Sequence, residues 1–172
     1  MKRIAVDMDG VLADVYEQFY AYDERDFGRR KQPEEVMGMH EAEAFPSIRK
    51  FIYENGFFLN TPVMQGSQDV LKRLNEKYEV FIVSSATEFP QSLPEKQSWL
   101  GQHFPFITWQ QMVFCGSKHI ISADIMIDDQ FRNLDSFKGQ TLLFTQPHNI
   151  NNREHQHTRV DSWQDIERLL LR

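Results

Sequence analysis

Two aspartates, Asp7 and Asp9, stand on alternate positions directly behind an apolar run in KRIAVDMDGVLADV, and Asp14 follows closely. Hydrophobic stretches elsewhere end in Ser84 and Ser85 and in the acidic pair Asp128 and Asp129, while Lys118 follows MVFCGS. Gathering Asp7, Asp9, Asp128 and Asp129 in one partly dry cleft is repulsive, because each carboxylate disfavours ionisation of the next. Such a cluster requires a cation. An all-oxygen ligand set without His or Cys selects a hard ion, so Mg2+ is the expected cofactor, with those four aspartates as candidate ligands.

A lysine and two hydroxyls added to that ion make a site complementary to a phosphoryl group. Lys118 brings a point charge, and Ser84 and Ser85 bring hydrogen-bond donors. With the anion neutralised, a carboxylate can attack phosphorus and form an aspartyl-phosphate. Asp7 is the candidate nucleophile. The alternate spacing sends Asp9 to a second approach on the same loop, where it can protonate the departing alcohol and then activate water. Gly10 permits the sharp turn that this loop needs.

These residues converge only if the elements carrying them share one edge. Four apolar runs, RIAV (3–6), EVFIVS (79–84), ADIMID (123–128) and TLLFT (141–145), read as strands buried on both faces. Helical patterns lie between them in SQDVLKRLNEKY (67–78) and PEKQSWLGQHF (94–104). The alternation predicts an α/β fold, a Rossmann-like parallel sheet with helices on both faces, whose sites lie at the carboxyl ends of the strands. A last helix, SWQDIERLLLR, starts at Ser162 with Asp165 three residues on, a variant of the capping box. Asp14 reads as the cap of the helix after the first loop. Lys96, in the PEK stretch, reads as a surface lysine outside the site.

Residues 7–78 separate the first strand from the second, far more than one crossover helix needs. Within them, residues 15–62 hold helix-like stretches (VYEQFYAYDERDF, PEEVMGMHEAEA, PSIRKFIYENG) rich in aromatics. They are expected to form a small helical cap inserted into a core made of residues 1–14 and 63–172. Helical spacing makes most of those aromatics packing residues, and the remainder can line a pocket for a flat ring.

With 172 residues, 41% hydrophobic and 26% charged, the chain is expected to be one globular domain with an insertion. A net charge of -6 gives no long-range attraction to nucleic acid polymers or to an anionic membrane. Asp7 and Asp9 interrupt the first apolar stretch, so neither a signal segment nor a membrane span is expected, and a cytoplasmic location is. Cys115, the one cysteine, excludes an internal disulfide and reads as a strand-end thiol. The polar stretch QPHNINNREHQHTR (146–159) carries His148, His155 and His157 and reads as a solvated loop rather than a metal site.

DMDGV at 7–11, Ser84, Lys118 and IDD at 127–129 resemble, in order and spacing, the four motifs of the haloacid dehalogenase (HAD) superfamily of phosphotransferases. DMDGVLAD, FIVSSA, PEKQSWLGQHF, SADIMIDD and the late DSW are similar to the 5'(3')-deoxyribonucleotidase branch, and the resemblance runs the length of the chain. It implies a HAD-like core, Asp7 as nucleophile and Asp9 as acid/base. It also implies Mg2+ held by the Asp7 side chain, the Asp9 carbonyl and the late pair, without deciding which of Asp128 and Asp129 binds directly. Ser84, Ser85 and Lys118 would hold the phosphate of a small nucleoside monophosphate, and a homodimer is compatible with this family. Two other readings compete: a HAD phosphatase of another small phosphomonoester, and a phospho-accepting receiver module. A receiver carries its acidic pair early and its phosphorylated aspartate centrally, without an acid/base beside it or a cap; here the order is reversed.

Overall fold

The computed structural model describes residues 1–153 and 155–172. Six strands, β1 (Arg3–Val6), β2 (Glu79–Ser84), β3 (Met112–Phe114), β4 (Ile125–Asp128), β5 (Gln140–Phe144) and β6 (Thr158–Val160), form a single sheet in the order β3-β2-β1-β4-β5-β6. Each pairing is parallel. The helices are α1 (Val15–Phe27), α2 (Glu41–Ala44), α3 (Ile48–Ile52), α4 (Ser67–Lys77), α5 (Ser92–His103), α6 (Phe131–Leu134) and α7 (Trp163–Leu170).

Side chains alternate across each strand, and both sides are covered, which is why the central runs are apolar throughout. Ile4, Val6, Val80, Ile82, Ile125, Ile127, Leu142 and Phe144 enter one core with residues of α4, α5 and α7. Ala5, Val83, Met126 and Leu143 enter the opposite core, closed by Leu134 of α6 and by Phe131 and Phe137. Two fully buried tryptophans tie this packing to the loops above it. Trp163 Nε1 donates to Val11 O at 2.8 Å, and Trp99 Nε1 donates to Thr61 O at 2.7 Å. Truncating such a buried ring costs about 3–5 kcal/mol.

The structure adds two short edge strands to the four central ones. Cys115 follows β3, as its strand-end reading expects. β6 begins at Thr158, inside the 146–159 segment expected to be a solvated loop, and that expectation is corrected in two respects. Three residues pair with β5, burying Val160, and the preceding loop is packed: Gln146, Asn149 and His157 are buried. Polar composition hid this, because each of these side chains is hydrogen-bonded to other protein groups.

The chain leaves the sheet at Ala13 and returns at Val63, the two forming an antiparallel bridge. Asp14 N donates to Pro62 O at 2.8 Å and Met64 N to Leu12 O at 2.7 Å. Between them, α1, α2 and α3 gather Tyr16, Phe19, Tyr20, Phe45, Phe51 and Phe57 into an aromatic core of their own. Asp14 caps α1, its Oδ1 accepting from Glu17 N at 3.1 Å. The helical pattern of PEEVMGMHEAEA does not form one helix. A 3-10 turn at Pro33–Glu35 gives way to Gly38 at φ +78°, a left-handed residue that no α-helix contains, and α2 starts only at Glu41. Among the described residues, no helix is long and apolar enough to cross a membrane.

Candidate active site

β1 and β4 are neighbours, while β2 and β3 lie on one side of that pair and β5 and β6 on the other. The order therefore reverses beside β1, and the crevice outside the strand ends at such a point is where open parallel sheets bind ligands. Asp7 follows β1 there, and Asp128 ends β4 with Asp129 next in sequence. Ligand oxygens of Asp7, Asp128 and Asp129, all buried, lie within 4.8 Å of one another. Lys118, in the turn after β3, places its Nζ 2.6 Å from Asp7 Oδ1 and 2.6 Å from Asp128 Oδ2.

The three carboxylates have different surroundings. Asp128 is fully enclosed: besides Lys118 it accepts from Gln130 N at 2.9 Å and from Asn133 Nδ2 at 3.0 Å. Asp129 is also buried, yet among the described residues no donor hydrogen-bonds to its carboxylate. Burial, with the charges of Asp7, Asp128 and Glu41, pushes the Asp129 carboxyl well above the usual carboxylate range. Burial likewise raises Asp7 despite Lys118, with Asp128 and Asp9 adding to the rise. Burial pulls the Lys118 ammonium down, but Asp7 and Asp128 outweigh it and hold it above its ordinary value. One lysine thus faces three buried carboxylates, and a hard divalent cation fits the charge that is left over.

Asp9 faces the other way from the first loop, as its alternate position requires. Its Oδ2 lies 2.5 Å from Lys96 Nζ, which also donates to Ser84 Oγ at 3.0 Å. Lys96 is 2% exposed, so its reading as a surface lysine is corrected. Helical periodicity alone hid it. Lys96 lies on the buried face with Ser92, Trp99 and Leu100, where the spacing of four and three residues is ordinarily apolar. Ser85, Lys96, Lys118, Asp7 and Asp9 line a cavity of about 610 Å³ together with Phe19, Ile52, Tyr53 and Phe58.

The loop after β5 braces this edge. Gln146 Nε2 donates to Gly10 O at 2.6 Å, and Asn149 Nδ2 donates to Asp129 O at 2.9 Å. The His148 ring lies between these loops, with Nε2 3.0 Å from Asp129 O and 3.2 Å from Gln130 Nε2, and Nδ1 3.1 Å from the Tyr16 hydroxyl. Gly10, at φ +79°, admits no side chain: a Cβ there would stand 2.5 Å from Asp129 Oδ2. The first loop and the acidic pair are in van der Waals contact across that glycine.

The family model described as "5' nucleotidase, deoxy (Pyrimidine), cytosolic type C protein" matches residues 1–172. The chain belongs to this nucleotidase family. Relatives include the 5'(3')-deoxyribonucleotidase of Bacillus subtilis (strain 168) and that of Bacillus phage SPbeta, each 42% identical over 173 residues and 99% of both chains. Among solved structures, a haloacid dehalogenase-like hydrolase from Streptococcus pneumoniae superposes with a TM-score of 0.64 at 13% identity, covering 98% of each chain. A HAD-hydrolase from Bacillus subtilis, bound to magnesium, gives 0.60 at 11% identity over 99% of each chain. The fold is HAD-like, and as a member of its family the nucleotidase is a phosphoric monoester hydrolase acting on nucleotides.

Proposed function

We propose that the enzyme hydrolyses nucleoside monophosphates to nucleoside and phosphate, with Asp7 as nucleophile, Asp9 as acid/base and Mg2+ as cofactor, under a cap formed by residues 15–62. The observation that carries this reading is the meeting of Asp7, Asp128 and Asp129 oxygens within 4.8 Å beneath a single lysine, with Asp9 turned away toward Lys96. Asp7, the Asp9 backbone carbonyl and Asp129 would hold the ion. Asp128 is already occupied by Lys118, Gln130 N and Asn133, which supports Asp129 as the direct ligand. When bound, Mg2+ supplies the positive charge that lets a phosphate dianion approach a carboxylate.

Lys118 and the hydroxyls of Ser84 and Ser85 hold the phosphate oxygens and fix phosphorus over Asp7. The Asp7 carboxylate attacks, the P–O bond to the nucleoside breaks, and protonated Asp9 gives its proton to the departing oxygen. Asp9, now a carboxylate, takes a proton from a water that attacks the phosphorus of aspartyl-phosphate. Phosphate leaves, and Asp7 returns to its starting state. Lys96 holds Asp9 on the nucleoside side throughout.

The reading places the enzyme in the cytoplasm and makes free deoxyribonucleotides, as acted on by the named relatives, its first substrates to test. A panel of ribo- and deoxyribonucleoside 5'- and 3'-monophosphates against sugar phosphates tests it. Turnover is expected with nucleotides, and Asp7→Asn and Asp9→Asn are each expected to abolish it with the fold intact by circular dichroism. Activity near the parent in either variant overturns the assignment.

A further inference from the structure

The helix that brings Lys96 into the site also grips the insertion. Glu95, in the first turn of α5, accepts three backbone hydrogen bonds from the returning end of that segment. Gly56 N donates to Oε1 at 2.6 Å, and Phe58 N and Leu59 N donate to Oε2 at 3.1 and 3.2 Å. Amides turned together onto one anion form a nest, here made possible by Gly56 at φ +86°. Two further contacts hold the same stretch: Gln91 Nε2 donates to Ile52 O at 3.2 Å, and Trp99 of α5 donates to Thr61 O at 2.7 Å. Beside Glu95, Lys96 reaches Asp9 and Ser84, and its Nζ stands 4.8 Å from the centroid of the Phe58 ring.

We propose that Glu95 is a positioning residue that sets the distance between the nucleoside-facing wall of the insertion and the phosphate site. One rigid helix carries both contacts. Through Glu95 it fixes the backbone at 56–59, and with it the Phe58 ring, while through Lys96 it fixes the acid/base. A glutamine in place of Glu95 has one acceptor oxygen for three N–H groups and presents an NH2 to the rest, so the nest opens. The insertion keeps its own aromatic core and its Ala13–Val63 bridge without Glu95, so loosening at 56–59 moves the wall and leaves the sheet intact.

The inference rests on the reading of residues 15–62 as the wall that receives the nucleoside. It predicts that ligands reaching that wall weaken, while ligands confined to the phosphate site do not. The test is Glu95→Gln in the full chain, with kcat and KM for the best nucleotide of the panel and the competitive inhibition constant of inorganic phosphate. Nucleotide KM is expected to rise about 10-fold, with kcat and the phosphate inhibition constant within about 3-fold of the parent. Hydrogen exchange at the Gly56, Phe58 and Leu59 amides should accelerate selectively. Parallel weakening of nucleotide and phosphate, or a KM within about 3-fold of the parent, overturns the role. Glu95→Asp, which keeps the charge on a shorter stem, serves if the glutamine variant does not fold; the same split at smaller amplitude is expected, and a loss equal for both ligands overturns it. Absence of nucleotide turnover in the parent would instead overturn the hydrolase reading itself.

Discussion

Lys118→Met keeps the length of a side chain that is 5% exposed and removes its charge from between Asp7 and Asp128. Two unit charges near 4 Å attract by about 4 kcal/mol at the effective dielectric of a protein site. Lys118 makes two such contacts, each at 2.6 Å, and the desolvation of its ammonium offsets part of the gain. The variant is left with buried, mutually repelling carboxylates, and breaking a buried pair in this way costs about 3–5 kcal/mol. For a chain of this size that is a fall in Tm of roughly 6–20 °C. The assay is thermal denaturation in EDTA, so that no divalent ion compensates. Adding Asp128→Asn removes one of the stranded charges, so the double variant should be more stable than the sum of the single losses, with a coupling of about 0.5–3 kcal/mol. A Lys118→Met melting point within about 2 °C of the parent, or strictly additive losses, would refute the electrostatic account of the site.

Three further outcomes follow from the same geometry. Gly10→Ala forces a side chain onto a left-handed residue, at a cost of about 1–2 kcal/mol, and into Asp129 Oδ2; steady-state kinetics should show activity falling further than the melting point alone accounts for, and parental kcat/KM would count against the contact. Mg2+ at about 100 times its Kd should stabilise the protein by about 2.7 kcal/mol, with EDTA reversing both that gain and turnover; full activity in chelator is incompatible with the site. The Asp161 backbone amide, foremost, with Ser162 and Arg168, holds Asp165 below its ordinary 3.8. A depressed folded value means that this contribution is complete above about 3.8 and is lost as pH falls through the lower folded one. Urea titrations at descending pH should therefore show a flatter acid limb in Asp165→Asn, and an unchanged limb contradicts the cap.

Much of this architecture is written locally. RIAV, EVFIVS, ADIMID and TLLFT announce central strands because a parallel strand covered on both faces must be apolar throughout, and the turn chemistry behind them marks where the loops at the strand ends begin. β6 was illegible for the complementary reason: a three-residue edge strand buries little and carries no such run. Ser162 and Asp14 are recognisable as caps because capping is a contact over three residues. The break at Gly38 was hidden because a glycine is tolerated in many helical patterns, and only the folded backbone, at φ +78°, shows the left-handed conformation there.

The chain's sequence by itself determined which groups could do chemistry at the strand ends: Asp7, Asp9, Ser84, Ser85, Lys118 and the late acidic pair. Their chemical types and order require nothing beyond alternation and apolar runs to interpret. Only the tertiary structure decided the surroundings of each. It enclosed Asp128 with Lys118 and Asn133, left the Asp129 carboxylate without a donor among the described residues, turned Lys96 inward to Asp9, and packed the loop of Gln146 and His148 against Gly10 and Asp129. The contacts of Lys96 with Asp9 and of Gln146 with Gly10 join residues far apart in the chain, and burial, which sets charge and hydrogen-bonding need, is a property of the fold and not of any local stretch.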